Sequence, residues 1–100
     1  MIQLEDTMNI NEKKLHMITK ALDNSTRIKI LYYLVNNNIS NVSNLINIFN
    51  ISQPNVSRHL KILADANLVF STKDGKERIY QLSDKHVYQL LLTLKTHIND

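Results

Sequence analysis

Residues 51–63 read Ile-Ser-Gln-Pro-Asn-Val-Ser-Arg-His-Leu-Lys-Ile-Leu. Ser52 offers a hydroxyl to cap a helix, and Pro54 falls in the first turn, where its missing N–H costs nothing. Val56, Leu60 and Leu63 recur at i, i+4 and i+7, giving one apolar stripe that can anchor the helix to a core. Gln53, Asn55, Ser57, Arg58 and Lys61 lie off that stripe. These residue types reach base edges and phosphates: arginine pairs with guanine, asparagine or glutamine with adenine, and hydroxyls and lysine with the backbone. Ser52 at the cap and His59, a packing or DNA-adjacent residue, complete the set of candidate DNA contacts. An ordinary amphipathic surface helix has the same pattern, so the flanking segments decide between the two.

Upstream, Val42, Leu45, Ile46 and Phe49 fall at i, i+3, i+4 and i+7 of a short helix capped by Ser40 or Asn41. Asn50-Ile51 then makes a tight turn, and two short helices joined this briefly form a helix-turn-helix unit. Downstream, residues 68–72 have strand composition, Asp74-Gly75 signals a hairpin turn, and residues 78–82 return as a second strand. Lys73, Lys76 and Arg78 concentrate positive charge there, as in a wing that touches phosphates or the minor groove beside a major-groove helix. The plainer reading is a hairpin that caps the core with solvated lysines.

Further out, Asn9 and Glu12 form a capping box for a first helix that buries Leu15, Ile18, Ala21 and Leu22. A second helix from about Thr26 to Val35 turns Ile28, Leu31, Leu34 and Val35 inward, and Asn36-Asn37-Asn38 ends it. Asp84 caps a last helix over residues 84–100, whose stripe of Val87, Leu90, Leu91, Leu94 and Ile98 is longer than one small domain needs. A second subunit is the expected partner for that surface. Residues 1–8 carry no clear period and read as a partly ordered arm.

With 100 residues, 43% of them hydrophobic and 21% charged, the chain is expected to form one folded domain over residues 1–100. A single glycine and a single proline leave little material for a turn-rich β fold. The fold class is therefore mainly α with a β-hairpin wing (α+β), a winged helix-turn-helix. The formal net charge of +3 accommodates a polyanionic partner. Absence of cysteine excludes disulfides and thiolate metal sites. No apolar run approaches the roughly 20 residues of a membrane span and no signal peptide is visible, so no membrane partner and a cytoplasmic location are expected. An enzyme is not expected, since there is neither a cysteine nucleophile nor a glycine-rich loop.

Three segments together resemble the arsenic-repressor (ArsR/SmtB) family of bacterial metal-sensing transcription factors. They are Ala21-Leu22-Asp23-Asn24-Ser25-Thr26-Arg27-Ile28-Lys29-Ile30-Leu31; Leu-x-x-x-Phe-Asn-Ile-Ser-Gln-Pro-Asn-Val-Ser-Arg-His-Leu-Lys-Ile-Leu from Leu45; and the wing residues Ala66-Asn67-Leu68-Val69, Asp74-Gly75-Lys76 and Ile79-Tyr80-Gln81-Leu82. The resemblance extends from Ala21 to Asp100. It implies a homodimeric repressor that binds operator DNA over an inverted repeat and releases it when metal binds. It also implies that the first and last helices form the dimer interface. Members that sense through thiolates carry Cys-Val-Cys at the start of the third helix, where this chain has Asn41-Val42-Ser43. Neutral amide and hydroxyl groups are poor ligands for soft metals, so arsenic, cadmium or lead sensing is not expected at that position.

The last helix holds four candidate metal ligands, Asp84, His86, His97 and Asp100. His86 and His97 are eleven residues apart, which sets them roughly 16 Å apart along one helix at about 1.5 Å per residue. No ion with ligand bonds near 2 Å touches both from one chain. Binding requires two last helices to run antiparallel, with Asp84 and His86 of one subunit meeting His97 and Asp100 of the other. Two imidazoles and two carboxylates suit tetrahedral zinc, with cobalt or nickel not separable from it by sequence. The Asp-x-His-x10-His-x2-acid spacing resembles the interfacial site of the family's zinc sensors, with Asp100 or the α-carboxylate as the fourth ligand. Taken alone, the two histidines would read as surface residues, as His16 of the first helix does. Two other readings stand beside this one: a winged-helix repressor with a non-metal signal, and a winged helix that binds protein and not DNA.

Overall fold

The computed structural model describes residues 9–100, so the arm expected over residues 1–8 lies outside the described residues. In chain order the elements are α1 (Glu12–Leu22), α2 (Ser25–Asn37), β1 (Ser40–Asn41), α3 (Val42–Phe49), α4 (Gln53–Asp65), β2 (Val69–Asp74), β3 (Glu77–Leu82) and α5 (Lys85–Asn99). The strands form an antiparallel sheet in the order β1-β3-β2. This is the expected winged helix-turn-helix, with α3 and α4 as its helical pair and the β2–β3 hairpin as its wing.

Each helix begins on a short polar side chain that accepts the backbone N–H three residues on. Asn11 accepts from Lys14, Asn24 from Arg27, Asn41 from Asn44, Ser52 from Asn55 and Asp84 from Val87. The cap of α1 is thus Asn11, not Asn9. Glu12 consequently sits in the first turn, where it favours the positive end of the helix dipole, and does not close a capping box. On α1, Ala21 is buried and Ile18 and Leu22 pack partly against the core, but Leu15 is 45% exposed.

In α2 the buried positions are Arg27, Ile30, Leu31, Leu34 and Val35. Ile28, expected inside, is exposed. Leu31, Leu34 and Val35 are buried as expected, and the departure is at the start of the stripe, where Arg27 and Ile30 take the inward places instead of Ile28. The two-residue strand β1, too short to carry a periodic signal, was not expected either. It pairs Ser40 with Tyr80 and Asn41 with Ile79.

Val56, Leu60 and Leu63 of α4 are each fully buried, and they share one core with Ile30, Leu31 and Leu34 of α2 and Leu45 of α3. The α3–α4 turn passes through Asn50 in the left-handed region (φ 51°). After α4 the backbone closes a Schellman turn: Leu68 N–H donates to the Leu63 carbonyl and Asn67 N–H to that of Ala64, with Asn67 at φ 60°. The chain leaves this turn directly into β2. Asp74 pairs with Glu77, so the two loop residues of the wing are Gly75 and Lys76, one position later than expected. Gly75 has φ +64° at the first of them, the conformation a type II′ hairpin demands there.

On α5, Val87 and Leu91 reach the core while Leu90, Leu94 and Ile98 remain exposed, Ile98 by 72%. Among the described residues no helix is long and apolar enough to cross a membrane. Leu60→Ala should cost about 2–5 kcal/mol, the range for emptying a closed aliphatic site. Equilibrium urea unfolding would read it as a lower midpoint at unchanged slope; a loss below about 1 kcal/mol would show that the stripe does not anchor α4.

Candidate nucleic-acid interface and metal ligands

Because the apolar stripe of α4 faces the core, Gln53, Asn55, Ser57, Arg58 and Lys61 face outward, and all five are exposed. Two of them are already oriented: Arg58 Nη2 donates to Asn55 Oδ1 at 2.9 Å, one turn back along the helix. Lys61 Nζ lies 2.9 Å from Asp65 Oδ2 in an exposed pair. Such a pair contributes little to stability and leaves the ammonium free to exchange partners. Ser52 is engaged as the helix cap, its hydroxyl accepting the Asn55 N–H at 3.4 Å. In the wing, Lys73, Lys76 and Arg78 are exposed, Lys73 lies opposite Arg78, and Arg78 Nε donates to Ser71 Oγ at 2.8 Å. The neutral partners of Arg58 and Arg78 orient each guanidinium without cancelling its charge.

His59 is placed differently from its neighbours. It is partly buried, and its Nδ1 accepts a hydrogen bond from Arg27 Nη1 at 3.2 Å. Arg27 was not singled out in the sequence reading, yet it connects three elements. From α2 it donates Nε to the Ala21 carbonyl at 2.8 Å and Nη2 to the Lys20 carbonyl at 3.2 Å, at the end of α1, while Nη1 holds His59 of α4. The C-terminal carbonyls of a helix carry partial negative charge, which compensates a buried cation. The signal for this residue was its position on the 27/30/31/34/35 stripe. An arginine donor fixes the tautomer of the ring, with Nδ1 as acceptor and the proton on Nε2. Burial holds the His59 pKa below the usual imidazole value, and the charges of Arg27 and then Arg58 lower it further.

Asp84 and His86 stand together at the start of α5. Asp84 Oδ1 caps the helix through the Val87 N–H at 3.0 Å and lies 3.7 Å from His86 Nδ1. His97 and Asp100 border one shallow depression at the other end, beside Thr93 and Thr96. Within a single chain the two pairs do not meet, and among the described residues no group of three His, Asp or Glu side chains is placed to hold an ion. The donor set is imidazole and carboxylate, which suits zinc, cobalt or nickel, and it is complete only if two chains contribute. His16 is exposed on α1.

Residues 24–71 match the family model described as bacterial regulatory protein, arsR family. The chain is 35% identical over 88 residues to the arsenical resistance operon repressor of Bacillus subtilis (strain 168), covering 88% of this chain and 84% of that protein. It is 38% identical over 50 residues to the HTH-type transcriptional repressor SmtB of Mycobacterium tuberculosis, half of this chain but 37% of the length of that repressor. Among solved structures, the homodimeric winged helix-turn-helix DNA-binding domain Mb0332 of Mycobacterium bovis matches with a TM-score of 0.84 at 18% identity, over 98% of this chain and 88% of that one. At that identity the likeness is one of fold.

The Arg27–His59 contact has a pH dependence of definite sign. The folded pKa of His59 lies below its unfolded value of about 6.5. On acidification the unfolded chain therefore takes up this proton first. The stability contributed by the neutral ring is present above about pH 6.5 and is lost as the pH falls through the lower folded value. Urea unfolding at pH 7.5 and pH 5 should show a larger loss for the wild type than for His59→Gln. Equal losses would show that the ring does not couple to folding.

Proposed function

The chain belongs to the arsR family of bacterial regulatory proteins, and on that premise we propose that it is a metal-responsive transcriptional repressor, binding operator DNA as a dimer. The family and fold are those of a DNA-binding regulator, not an enzyme. The observation that carries the DNA-binding part is the rotation of α4: with Val56, Leu60 and Leu63 fully buried, its Gln, Asn, Ser, Arg and Lys side chains face away from the core. In this reading α4 enters the major groove, Asn55 and Arg58 read base edges, and Gln53, Ser57 and Lys61 contact bases or phosphates. Ser52 and His59 sit at the margin, one as a cap and the other through its Nε2–H. Lys73, Lys76 and Arg78 of the wing hold phosphates alongside.

Exposed Leu90, Leu94 and Ile98 on α5, with Leu15 and Met17 on α1, supply an apolar surface for dimerisation through the first and last helices. A two-fold dimer places its two α4 helices over an inverted repeat, about one duplex turn or roughly 34 Å apart. Asp84 and His86 of one subunit with His97 and Asp100 of the other would hold the effector, zinc in the first instance, with cobalt or nickel as alternatives. When bound, the metal supplies a link between the two α5 helices. If that linked arrangement and the DNA-bound one differ, each ligand weakens the other by the same factor. The relatives named for arsenical resistance do not transfer their effector to this chain, because it has no cysteine to ligate a thiophilic element.

Two measurements test this reading. Arg58→Ala should weaken binding to a duplex selected from a random library by about 1–3 kcal/mol and relax base preference at one position. Lys76→Ala should instead lower affinity uniformly and reduce the salt slope by about one. Fluorescence anisotropy across salt concentrations separates the two, and no binding at low salt would overturn the DNA-binding assignment. Independently, cobalt(II) titration of the apo-protein should give a visible ligand-field band that zinc displaces. The band should be absent in His97→Ala, which should still bind DNA but no longer be released by zinc. A flat wild-type titration would remove the metal and leave the DNA-binding reading in place.

A further inference from the structure

Glu77 opens β3 beside the wing turn, and its carboxylate is held by two side chains from the start of the helical pair. Asn41 Nδ2 donates to Oε2 and Ser43 Oγ to Oε1, each at 3.1 Å. Asn41 is also the cap of α3, its Oδ1 accepting the Asn44 N–H at 2.7 Å. The carboxylate therefore rests against the first turn of α3, where the peptide dipoles favour negative charge. Backbone pairing of β1 with β3 ends at Asn41 and Ile79. This clasp is thus a tie to the helices that lies beyond the ladder, towards the wing tip.

The register shows which way it faces. Asp74 is opposite Glu77 and Lys73 is opposite Arg78. Opposed residues share a face and successive residues alternate, so Glu77 is turned away from the face that carries Lys73 and Arg78. We propose that Glu77 is a positioning residue for DNA binding. Together with Asn41 and Ser43 it fixes the wing to the helix-turn-helix unit, so that Lys73, Lys76 and Arg78 stand at a set distance from α4. This rests on the DNA-binding reading above. It also makes a claim opposite in sign to simple electrostatics, since deleting an acidic residue from a phosphate-facing hairpin should otherwise tighten binding.

The test uses Glu77→Gln, Ser43→Ala and the double variant of the full chain, leaving Asn41 intact because it caps α3. With the duplex selected by the wild type, each single variant should bind about fivefold more weakly, the scale of one or two exposed charge-assisted hydrogen bonds. The double variant should weaken binding by less than the sum of the two single changes, because Ser43 donates to the same carboxylate whose charge Glu77→Gln removes. Without DNA, the amides of residues 76–78 should exchange faster in both single variants, while those pairing β1 with β3 stay protected. Tighter binding by Glu77→Gln with Ser43→Ala unchanged, or unchanged exchange at residues 76–78, would overturn the role of Glu77 alone. A wild-type chain that binds no duplex at low salt would overturn the DNA-binding reading and this role with it.

Discussion

Closure of Val56, Leu60 and Leu63 against the core sets the rotation of α4 about its own axis, and most of the molecule is arranged around that constraint. A helix pinned along one stripe cannot roll without opening aliphatic sites that each contribute kilocalories. Its polar face is then fixed outward with no further interaction needed to hold it there. The turn at Asn50 delivers α3 to one end, and the Schellman turn at Asn67 sends the hairpin out from the other. Both flanking elements inherit their directions from a helix that is itself held along its buried stripe.

Arg27 adds a second, polar constraint. Among the described residues no carboxylate lies within ion-pair reach of it. Its charge is met by carbonyls at the end of α1 and by the imidazole of His59. A buried ion without a counter-ion is costly unless its donors are satisfied by oriented dipoles, and here they are. The arrangement gives α1 a direct mechanical connection to α4. Any displacement of the end of α1 must be followed by the guanidinium, and so by the ring it holds.

The fold was largely legible from the residues, because capping chemistry and apolar periodicity are local. Ser52, Pro54 and the Val56/Leu60/Leu63 spacing place α4, and Asp84 places α5, as observed. Errors arose where local rules compete. Asn9 and Asn11 are both competent caps, and the packing of α1 decides between them. Ile28 satisfied a hydrophobic template, whereas Arg27 took the inward place because its fork found carbonyls there. Strand β1 depends on a partner nearly forty positions away and leaves no periodic trace over two residues. For the metal ligands, helix geometry alone separates His86 from His97. How two chains would bring them together depends on a surface that one sequence does not specify.

Among the described residues, asparagine stands at three reversals with positive φ: Asn50 at 51°, Asn67 at 60° and Asn38 at 68°, the last in a γ-turn closed by Ile39 N–H donating to the Asn37 carbonyl. The single glycine is used in the wing. A positive φ is strained for most L-residues, by about 1–2 kcal/mol in the left-handed region where Asn50 lies, and asparagine and aspartate are among the few side chains that adopt it readily. Those three positions are consequently the narrow points in the chain's freedom to drift in sequence. As far as folding alone is concerned, exposed helical positions between them can accept a wide set of replacements, but each reversal can pass essentially to glycine or aspartate. Where such a protein diverges, its helices can change their surfaces while the points at which they stop stay put.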